Sequence, residues 1–526
     1  MAKIKNILFI MADQLRWDYL SCYGHQYLKT PNIDKLASKG VLFESAFVQS
    51  PVCGPSRAST YTGRTVFSHG STSNQVPLPI GELMIGDYLS KDGMRVGVVG
   101  KTHMKPDEDG MARLGITKDT EIGLIVSEPG FEPYVRDDGL HPANQKQNNK
   151  NLSYNQWLNK LGYEGENPWN SWANSAEGEN GEILSGWKLR NSNKPSRVAE
   201  EHSETAYMTD KAMEYIEDSG ERPWFLHLSY IKPHWPYIAP APYHNMYSPS
   251  QTSPLHRDDS EKINAHPVYE AFMNTEVSKT FSKKEVRETV IPGYMGLIKQ
   301  IDDNLGRLFK FLEKNGKMDD TMIVFTSDHG DYLGDHWLGE KEFFHEQCVK
   351  VPLIIYDPSE STNKTRGTRN KRLVEAIDLL PTFLDATENT SSQHRLEGKS
   401  LLPMLQGKNQ KNWRNAVFSE IDYAFYHQRE FLNLGPHDAR AYMIRTYKWK
   451  YVYFKGFLPQ LFDLTKDPAE FHDLGQLSEY KEVRNELKDI LLQRLINRKN
   501  LVTFNEERIL KQRDDSSEGG VMIGVW

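Results

Sequence analysis

Cysteine is scarce in this sequence, and the few cysteines are far apart. Only three occur among 526 residues: Cys22, Cys53 and Cys348. An odd number of widely spaced cysteines does not make a disulfide framework and suits a reducing compartment. We therefore expect a cytoplasmic protein without such a framework.

Long apolar runs and an excess of basic charge are missing as well. The apolar run in the opening MAKIKNILFIMADQ reaches an aspartate after about seven residues, too short for a signal-peptide core or a membrane span. The formal net charge is -7 with both signs interspersed, so the basic stripe of a nucleic-acid-binding protein is lacking. We expect neither a membrane nor a nucleic acid as partner.

The apolar runs that are present alternate with helical patterns along most of the chain. Strand-like runs lie at 6–12, 95–100, 224–231, 321–327 and 351–357. Nearly all-apolar strands imply a sheet covered on both faces, and the alternation indicates an α/β fold. Two helices have readable ends: one opens at Thr30 and Pro31 and closes at Gly40, and a longer one runs from about Pro292 to Asn315.

The pattern changes near residue 410, where we predict a domain boundary between 1–410 and 411–526. AVFSEI, AYMIRTYKWKYVYF and QLFDL alternate apolar and polar residues, as in a small antiparallel sheet. A charged amphipathic helix is predicted at about 478–498, and the tail at 499–526 ends in the apolar GGVMIGVW. We expect that tail to dock on the protein's own body or on a neighbouring subunit.

One short motif stands out near the N-terminus: CGPSR at 53–57, followed by TGR at 62–64. Pro55 suits the first turn of a helix and Gly63 its end, so Cys53 is expected at a helix N-terminus, where backbone N–H groups favour an anion. Arg57 would add a positive charge one turn on. From these residues alone, Cys53 is either a nucleophilic thiolate of low pKa or a buried structural cysteine.

Two polar pairs follow predicted strands. Asp13 and Gln14 come directly after the first strand, and Asp328 and His329 follow another, in TSDHG. The carboxyl ends of parallel strands converge on one crevice, and hard oxygen ligands suit Ca²⁺, Mg²⁺ or Mn²⁺. Either pair taken singly is as well explained by a helix cap or a turn.

A third group of residues is cationic or rich in hydrogen-bond donors. It comprises Lys101 and His103 in VGKTH, His234 in IKPHWP, and Lys341 after GDHWLG. Singly, such residues are more often solvated or structural. Trp169, Trp172, Trp187 and Trp235 could line a pocket, but aromatic residues are ordinary core material and we expect core positions for most of them. The region 104–200, rich in Gly, Asn, Asp and Glu, is predicted to be mainly loop and to shape that pocket.

The CGPSR and TGR motifs resemble the signature of the sulfatase family, within the alkaline phosphatase superfamily. One departure is Tyr61, where that family usually has Leu. The resemblance covers almost the whole chain and is closest to bacterial phosphonate monoester hydrolases and their arylsulfatase relatives. It implies a large, mixed, mostly parallel sheet sandwiched by helices, as in alkaline phosphatase, with a smaller C-terminal α+β domain that contains an antiparallel sheet.

The resemblance also implies the chemistry of the site. Cys53 would be oxidised to formylglycine by a maturation enzyme, and one oxygen of the hydrated aldehyde would attack sulfur or phosphorus while the other later expels the product. The implied ligands of one divalent metal, Ca²⁺ with Mn²⁺ as the alternative, are Asp13, Gln14, Cys53, Asp328 and His329. The implied catalytic residues are Cys53, Arg57, Lys101, His103, His234 and Lys341. The implied substrate-binding residues are Asn74, Lys101, His234 and Lys341. We expect His69 and Arg64 to brace the loop, and Asp335 and His336 to be structural.

The expected substrate is a small anionic ester. Phosphonate monoester hydrolases typically carry Tyr and Thr where this chain has Lys101 and His103, and the latter pair is the usual sulfatase choice, so a sulfate monoester is favoured. The alternatives are a phosphonate monoester or phosphodiester substrate and, from a different class, a silent binding protein that is never oxidised at Cys53. The alcohol half stays open among aryl, choline-like, alkyl and sugar groups. The resemblance further implies a homo-oligomer, a tetramer or a dimer, assembled through the tail.

Overall fold

The fold is built on one large mixed sheet. The protein is described from a computed structural model, which describes residues 4–139, 152–390 and 393–511. The strands are β1 (Asn6–Asp13), β2 (Val41–Phe47), β3 (Arg95–Gly100), β4 (Glu132–Arg136), β5 (Ser175–Glu177), β6 (Ile183–Ser185), β7 (Trp224–Pro233), β8 (Thr321–Ser327), β9 (Lys350–Tyr356), β10 (Thr368–Asn370), β11 (Val374–Glu375), β12 (Ala416–Asp422), β13 (Arg440–Thr446), β14 (Trp449–Phe454) and β15 (Gln460–Asp463).

Helices cover both faces of this sheet, and shorter 3-10 turns connect them. The α-helices are α1 (Pro31–Lys39), α2 (Cys53–Thr62), α3 (Val66–His69), α4 (Ile85–Leu89), α5 (Glu108–Arg113), α6 (Glu121–Ser127), α7 (Ser153–Lys160), α8 (Glu204–Ser219), α9 (Pro267–Met273), α10 (Glu276–Phe281), α11 (Lys284–Lys314), α12 (Glu346–Val349), α13 (Leu379–Ala386), α14 (Leu402–Leu405), α15 (Gln428–Phe431), α16 (Lys481–Ile496) and α17 (Glu506–Lys511). A π-helix spans Trp169–Ala173.

The strand order of the large sheet is β10-β2-β9-β8-β1-β7-β3-β4, with β11 also paired to β2. Strand β9 runs antiparallel to both β2 and β8, whereas the other pairs are parallel. This is the mixed, mostly parallel sheet that was predicted. The central strand β1 is buried along its whole length.

The two faces of β1 feed two hydrophobic cores because successive side chains of a strand point to opposite faces. Ile7, Phe9 and Met11 belong to one core, which α2, α4 and α13 close. Leu8 and Ile10 belong to the other, under α1, α8 and α11. The covered sheet confirms the α/β class predicted from the all-apolar strands.

The C-terminal part folds as predicted around a second sheet, the antiparallel meander β12-β13-β14-β15. Helix α16 packs on it through Leu487 and Leu491, which contact Ile444, Tyr451 and Leu461. The boundary near residue 410 stays a prediction. Of the predicted tail at 499–526, residues 512–526 lie outside the described part of the chain.

One expectation about local structure was wrong. Helix α11 begins at Lys284 rather than near Pro292, which lies inside it. Proline removes one helical N–H, and the carbonyl left without that donor belongs to Glu288, an exposed residue that water reaches. The described part of the region 104–200 is mainly loop, as predicted, with α5, α6, α7, β4 and the β5–β6 hairpin set into it. Within the described residues, no helix combines the length and apolarity that a bilayer crossing requires.

Candidate active site

Cys53 is the first residue of α2, as the motif predicts. The preceding Val52 is extended, and Gly63 ends the helix with a φ of 63°. The thiol is buried, and its Sγ lies 2.9 Å from Nε2 of His329 and 3.9 Å from Oδ1 of Asp13. The residue therefore sits at the positive end of the helix dipole and faces the ends of two strands.

These strand ends lie side by side. Strands β1 and β8 are parallel neighbours, and Ala12 of β1 pairs with Ser327 of β8. Asp13 is the last residue of β1, and Asp328 is the first residue after β8. Both carboxylates are therefore buried at the same edge of the sheet. Gln14 turns the chain with a φ of 63°, and its backbone N–H donates to Oδ1 of Asp328 at 3.0 Å. The sequence argument that these positions converge is confirmed.

The side chains at these ends form one compact donor set. One ligand atom each from Asp13, Cys53, Asp328 and His329 lies within 4.8 Å of the other three. The Nδ1 of His329 bonds the carbonyl of Gly330 at 2.8 Å, which turns Nε2 toward the set. Two carboxylates, an imidazole and the position-53 side chain fit a hard or borderline divalent cation.

Gln14, which follows Asp13 in the chain, is held beside this donor set by three side-chain hydrogen bonds. Its Nε2 donates to Oδ2 of Asp331 at 2.5 Å and contacts the hydroxyl of Tyr237 at 3.2 Å. Its Oε1 accepts a hydrogen bond from Nζ of Lys341 at 2.8 Å. These bonds fix the orientation of the amide, so Gln14 links the donor set to the cationic side of the site.

Arg57 binds the carboxylates of both Asp13 and Asp328. Its Nε donates to Oδ2 of Asp328 at 2.8 Å, and its Nη2 lies 3.3 Å from Oδ2 of Asp13. Its Nη1 donates to the carbonyl of Lys101 and to Oγ of Ser229, each at 2.8 Å. The buried guanidinium thus has donors engaged on four groups and holds the acidic pair in place.

The predicted donors surround the opposite side of Cys53. Nζ of Lys101 lies 2.5 Å from Oδ2 of Asp13, and Nζ of Lys341 lies 3.2 Å from Nε2 of His234. Since Nδ1 of His234 donates to the carbonyl of Trp235 at 2.8 Å, Nε2 is the acceptor of the lysine proton.

The remaining two predicted residues, His103 and Asn74, complete the rim. His103 has a φ of 53°, and its buried Nδ1 has no hydrogen-bond partner among the described residues. Oδ1 of Asn74 accepts from the backbone N–H of Gly54 at 2.8 Å. All residues predicted for the site are therefore brought together, while their roles stay predictions.

The lysines of the site shift the pKa values of Cys53 and His234. Burial opposes ionisation of Cys53, but Lys341, Lys101 and His329 hold the pKa of its thiol well below the usual value. Burial together with the charge of Lys341 lowers the pKa of His234 to about 3, so this imidazole is neutral. The position-53 side chain is accordingly surrounded by groups that stabilise negative charge.

Comparisons with known proteins agree with this arrangement. The sulfatase family model matches residues 5–389. The chain belongs to the sulfatase family. A second model, the C-terminal part of N-sulphoglucosamine sulphohydrolase, matches residues 334–497. The family assignment makes the protein a hydrolase and confirms the resemblance drawn from the motifs.

The relatives of this sulfatase-family chain include enzymes of two kinds. A multifunctional alkaline phosphatase superfamily protein, PehA of Trinickia caryophylli, is 33% identical over 90% of this chain and 91% of its own. An arylsulfatase of Clostridium perfringens is 28% identical over 94% and 95%. The solved phosphonate monoester hydrolase of Agrobacterium radiobacter is 28% identical, covers 93% of this chain and 95% of its own, and has a TM-score of 0.79.

A cavity of about 700 Å³ opens above Cys53 in this sulfatase-family fold. Asn74, Lys101, His103, His234 and Lys341 all line it, which makes it the candidate substrate site.

The tryptophans lie where the core meets the cavity. Trp169 is buried in the core, and Trp172, Trp187 and Trp235 are half-buried against it. Trp169, Trp187 and Trp235 also line the cavity. Trp172 does not line it and stacks under the guanidinium of Arg197 at 3.8 Å.

The four residues expected to be structural lie outside this cavity. His69 bonds Ser59, and Arg64 lies 3.4 Å from a carboxylate oxygen of Glu82. The other two lie behind the site: Asp335 pairs with Arg16 at 2.7 Å, and His336 bonds Glu261 at 2.6 Å.

Sequence reasoning missed the residues that orient the site. Ser229 bonds Arg57, and Asp331 with Tyr237 fixes Gln14. The signals were present, because Asp331 stands in the same DHGD run as Asp328, and Ser229 is one of the few polar residues of a buried strand.

Proposed function

We propose that this sulfatase-family hydrolase cleaves sulfate monoesters of small alcohols, with position 53 as the nucleophile after conversion of Cys53 to formylglycine. The observation that carries the proposal is the surrounding of Cys53: a four-atom metal donor set on one side and Lys101, His103, His234 and Lys341 on the other. The side chain of residue 53 is thereby placed between a metal site that can activate it as a nucleophile and a pocket that can bind the anionic ester.

Each residue has a role that follows from its contacts. Lys101 and Lys341 are buried cations at the base of the cavity, where they bind the anionic oxygens of the ester. His103 and His234 line the cavity beside these lysines, so one imidazole acts on the leaving oxygen and the other accepts the proton of the position-53 diol. Asn74 fixes the helix N-terminus through Gly54 and borders the ester.

The donor set fits a divalent metal, and we propose Asp13, Gln14, Asp328 and His329 as its ligands beside position 53. When bound, such an ion lowers the pKa of a hydroxyl and offsets developing negative charge. Ca²⁺ is proposed because carboxylate and amide oxygens predominate, and Mn²⁺ is the alternative because His329 supplies a nitrogen.

A second candidate substrate is a phosphonate monoester or phosphate diester. The likeness in fold to the phosphonate monoester hydrolase of Agrobacterium radiobacter favours it. Such esters carry one negative charge, as sulfate monoesters do, so the same two lysines can hold either. Lys101 and His103, which are typical of sulfatases, make sulfate the first choice.

The test compares kcat/KM for 4-nitrophenyl sulfate and for 4-nitrophenyl phenylphosphonate, which share one leaving group. The protein is produced together with a formylglycine-generating enzyme, mass spectrometry measures the conversion of Cys53, and Cys53→Ala is the control. A higher kcat/KM for sulfate supports the proposal, and a higher value for the phosphonate supports the second candidate. Full activity of Cys53→Ala would contradict the nucleophile.

Further expectations concern maturation, location and assembly. We propose that a formylglycine-generating enzyme acts on the CGPSR motif and that the protein is cytoplasmic, in keeping with three free cysteines. We also propose a homo-oligomer, a tetramer or dimer, that the tail holds together. Deletion of residues 500–526 should then lower the mass measured by light scattering, and an unchanged mass would contradict this role of the tail.

A further inference from the structure

The loop that carries His103 is held from the neighbouring strand. Strands β3 and β4 are parallel neighbours, so the residues that follow them meet at the edge of the sheet where the site lies. Oδ1 of Asp138, two residues after β4, accepts hydrogen bonds from the backbone N–H groups of Thr102 and His103, each at 3.1 Å. Successive N–H groups that converge in this way form a concave site for an anion. One carboxylate oxygen thus fixes two consecutive peptide groups of the loop.

The backbone conformation of His103 needs such support. Its φ of 53° lies in the left-handed region, which a side chain other than glycine occupies only where surrounding contacts enforce it. Within the described residues, its buried Nδ1 has no hydrogen-bond partner. Functional imidazoles are usually oriented through the bond made by their second ring nitrogen. Since that bond is missing here, the direction of the ring depends on the backbone that carries it.

Asp138 is itself held in place by an ion pair. Its Oδ2 lies 2.5 Å from Nη2 of Arg136. The same guanidinium donates to the carbonyl of Met104 at 3.2 Å, and its Nε lies 3.0 Å from Oε2 of Glu128. Asp138 borders the substrate cavity, but one of its oxygens is engaged by the loop and the other by Arg136. The contacts therefore give this carboxylate a role in orientation rather than in substrate binding.

His103 connects Asp138 to the reacting position. Its imidazole lines the cavity and is a hydrogen-bond partner of the Cys53 side chain. Partial burial opposes ionisation of Asp138, but Arg136 and His103 hold the pKa of its carboxyl below the usual value. The attraction acts in both directions, so the negative carboxylate also favours a positive charge on the imidazole.

We propose that Asp138 is a positioning residue that acts through His103: its carboxylate holds the left-handed turn that directs the imidazole to position 53, and its charge favours the protonated ring. An aspartate that orients a histidine and stabilises the imidazolium is an arrangement that other hydrolases use, there through the side chain of the histidine rather than its backbone. The inference rests on the proposed function, because it takes His103 to be one of the two proton-transferring imidazoles.

The first test is the effect of Asp138→Ala on kcat and KM, with whichever of the two 4-nitrophenyl esters is cleaved faster. Displacement of a catalytic group should lower kcat by about a hundredfold. KM should stay nearly unchanged, because Lys101 is fixed by other contacts: its N–H donates to the carbonyl of Ser229, and its own carbonyl accepts from Arg57. A raised KM at unchanged kcat would overturn the positioning role.

A cycle of variants separates positioning from a general loss of structure. When His103 is already alanine, Asp138→Ala should lower kcat by at most about twofold more, because it has no imidazole left to position. Losses that multiply would overturn the inference. Asp137→Asn is the matched control: this adjacent, buried carboxyl accepts from the N–H of Gly139 instead of the loop, so kcat should not change.

The conservative variant Asp138→Asn separates shape from charge. The amide keeps an oxygen for the two N–H groups but loses the negative charge and turns an NH₂ group toward Arg136. It should lower kcat by about tenfold, less than alanine does. Should the alanine variant not fold, Asp138→Asn takes its place in the cycle with His103→Ala, and multiplying losses would again overturn the inference.

Failure of the proposed function would be seen separately. If His103→Ala is as active as the wild type, the proposed role of His103 is wrong and the inference with it. If His103→Ala is impaired while Asp138→Ala is fully active, only the inference is wrong. Crystal structures give a result without turnover: the imidazole should leave position 53 in Asp138→Ala and stay in Asp137→Asn. An imidazole that does not move in Asp138→Ala would overturn the inference.

Discussion

The hydroxyl of Tyr61 lies 2.9 Å from Nε2 of His227, where helix α2 packs on strand β7. Nδ1 of the same imidazole bonds the carbonyl of Phe9 at 3.2 Å, so Nε2 is the acceptor and Tyr61 the donor. Both side chains are fully buried. Tyr61 is the position where this chain departs from the leucine usual in the signature, and a histidine of the buried strand β7 accepts its hydrogen bond.

Tyr61→Phe should lower the free energy of unfolding by about 1–3 kcal/mol, because Nε2 of His227 would lose its donor in the core. Urea unfolding followed by fluorescence measures the change. Tyr423→Phe is a matched control: its buried hydroxyl has no hydrogen-bond partner among the described residues, so its removal should cost little. Equal losses in the two variants would show that the bond to His227 does not stabilise the fold.

The guanidinium of Arg57 binds the same two carboxylates that belong to the metal donor set. The stability lost when Arg57 is replaced should therefore depend on whether the metal is bound. Arg57→Ala should destabilise the metal-free protein by about 3–5 kcal/mol, because Asp328 would stay buried without its arginine and Asp13 would keep only Lys101 as a counter-ion. Bound Ca²⁺ or Mn²⁺ would compensate part of the negative charge of the carboxylates, so the substitution should lower the free energy of unfolding by less when the metal is present. Unfolding with chelator and with metal measures both values, and identical losses would contradict a shared charge balance.

Much of the site could be predicted from local sequence because its members stand at ends of elements. Pro55 and Gly63 bound a helix, and Asp13 and Asp328 follow apolar strands, so their convergence follows from parallel pairing alone. Periodicity likewise indicated the covered sheet and the C-terminal meander.

The parts that could not be predicted depend on contacts between distant segments. The apolar run of strand β2 is interrupted by Glu44 and Ser45, so the strand did not stand out. The sheet is mixed because β9 runs antiparallel to both β2 and β8, which the apolar pattern of β9 does not reveal. Whether Trp187 and Trp235 line a cavity or a core depends on how the loops above the sheet fold.

Metal binding should stabilise the folded protein and restore its activity. Removal of metal with a chelator should abolish hydrolysis of 4-nitrophenyl sulfate, and Ca²⁺ or Mn²⁺ should restore it. At a concentration one hundred times its dissociation constant, the ion should add about 2.7 kcal/mol of stability, visible as a rise in Tm. Asp328→Asn should lose that rise. Asp18→Asn, a change in an ion pair with Arg16 outside the donor set, should keep it. A rise that survives Asp328→Asn would place the ion elsewhere.

His69 should make the fold sensitive to acid, independently of catalysis. Nδ1 accepts from the backbone N–H of Ser71 at 3.1 Å, so Nε2 carries the proton and donates to Oγ of Ser59 at 2.9 Å. The neutral ring satisfies both partners. A second proton would have to enter at Nδ1 and would break the bond to Ser71.

Burial, together with the charge of Arg64, lowers the pKa of His69 to about 3, against an ordinary value of about 6.5 when the chain is unfolded. The unfolded chain therefore binds the proton first, so the stabilisation is complete above pH 6.5 and is lost as the pH falls toward 3, by about 1.4 kcal/mol per unit. His69→Gln does not titrate. The free energy of unfolding of the wild type, relative to this variant, should fall by about 2.3 kcal/mol between pH 6.5 and 4.5, measured by urea unfolding. A difference that stays constant with pH would mean that the proton enters the folded ring as easily as the unfolded one, and that Ser71 does not need Nδ1 as its acceptor.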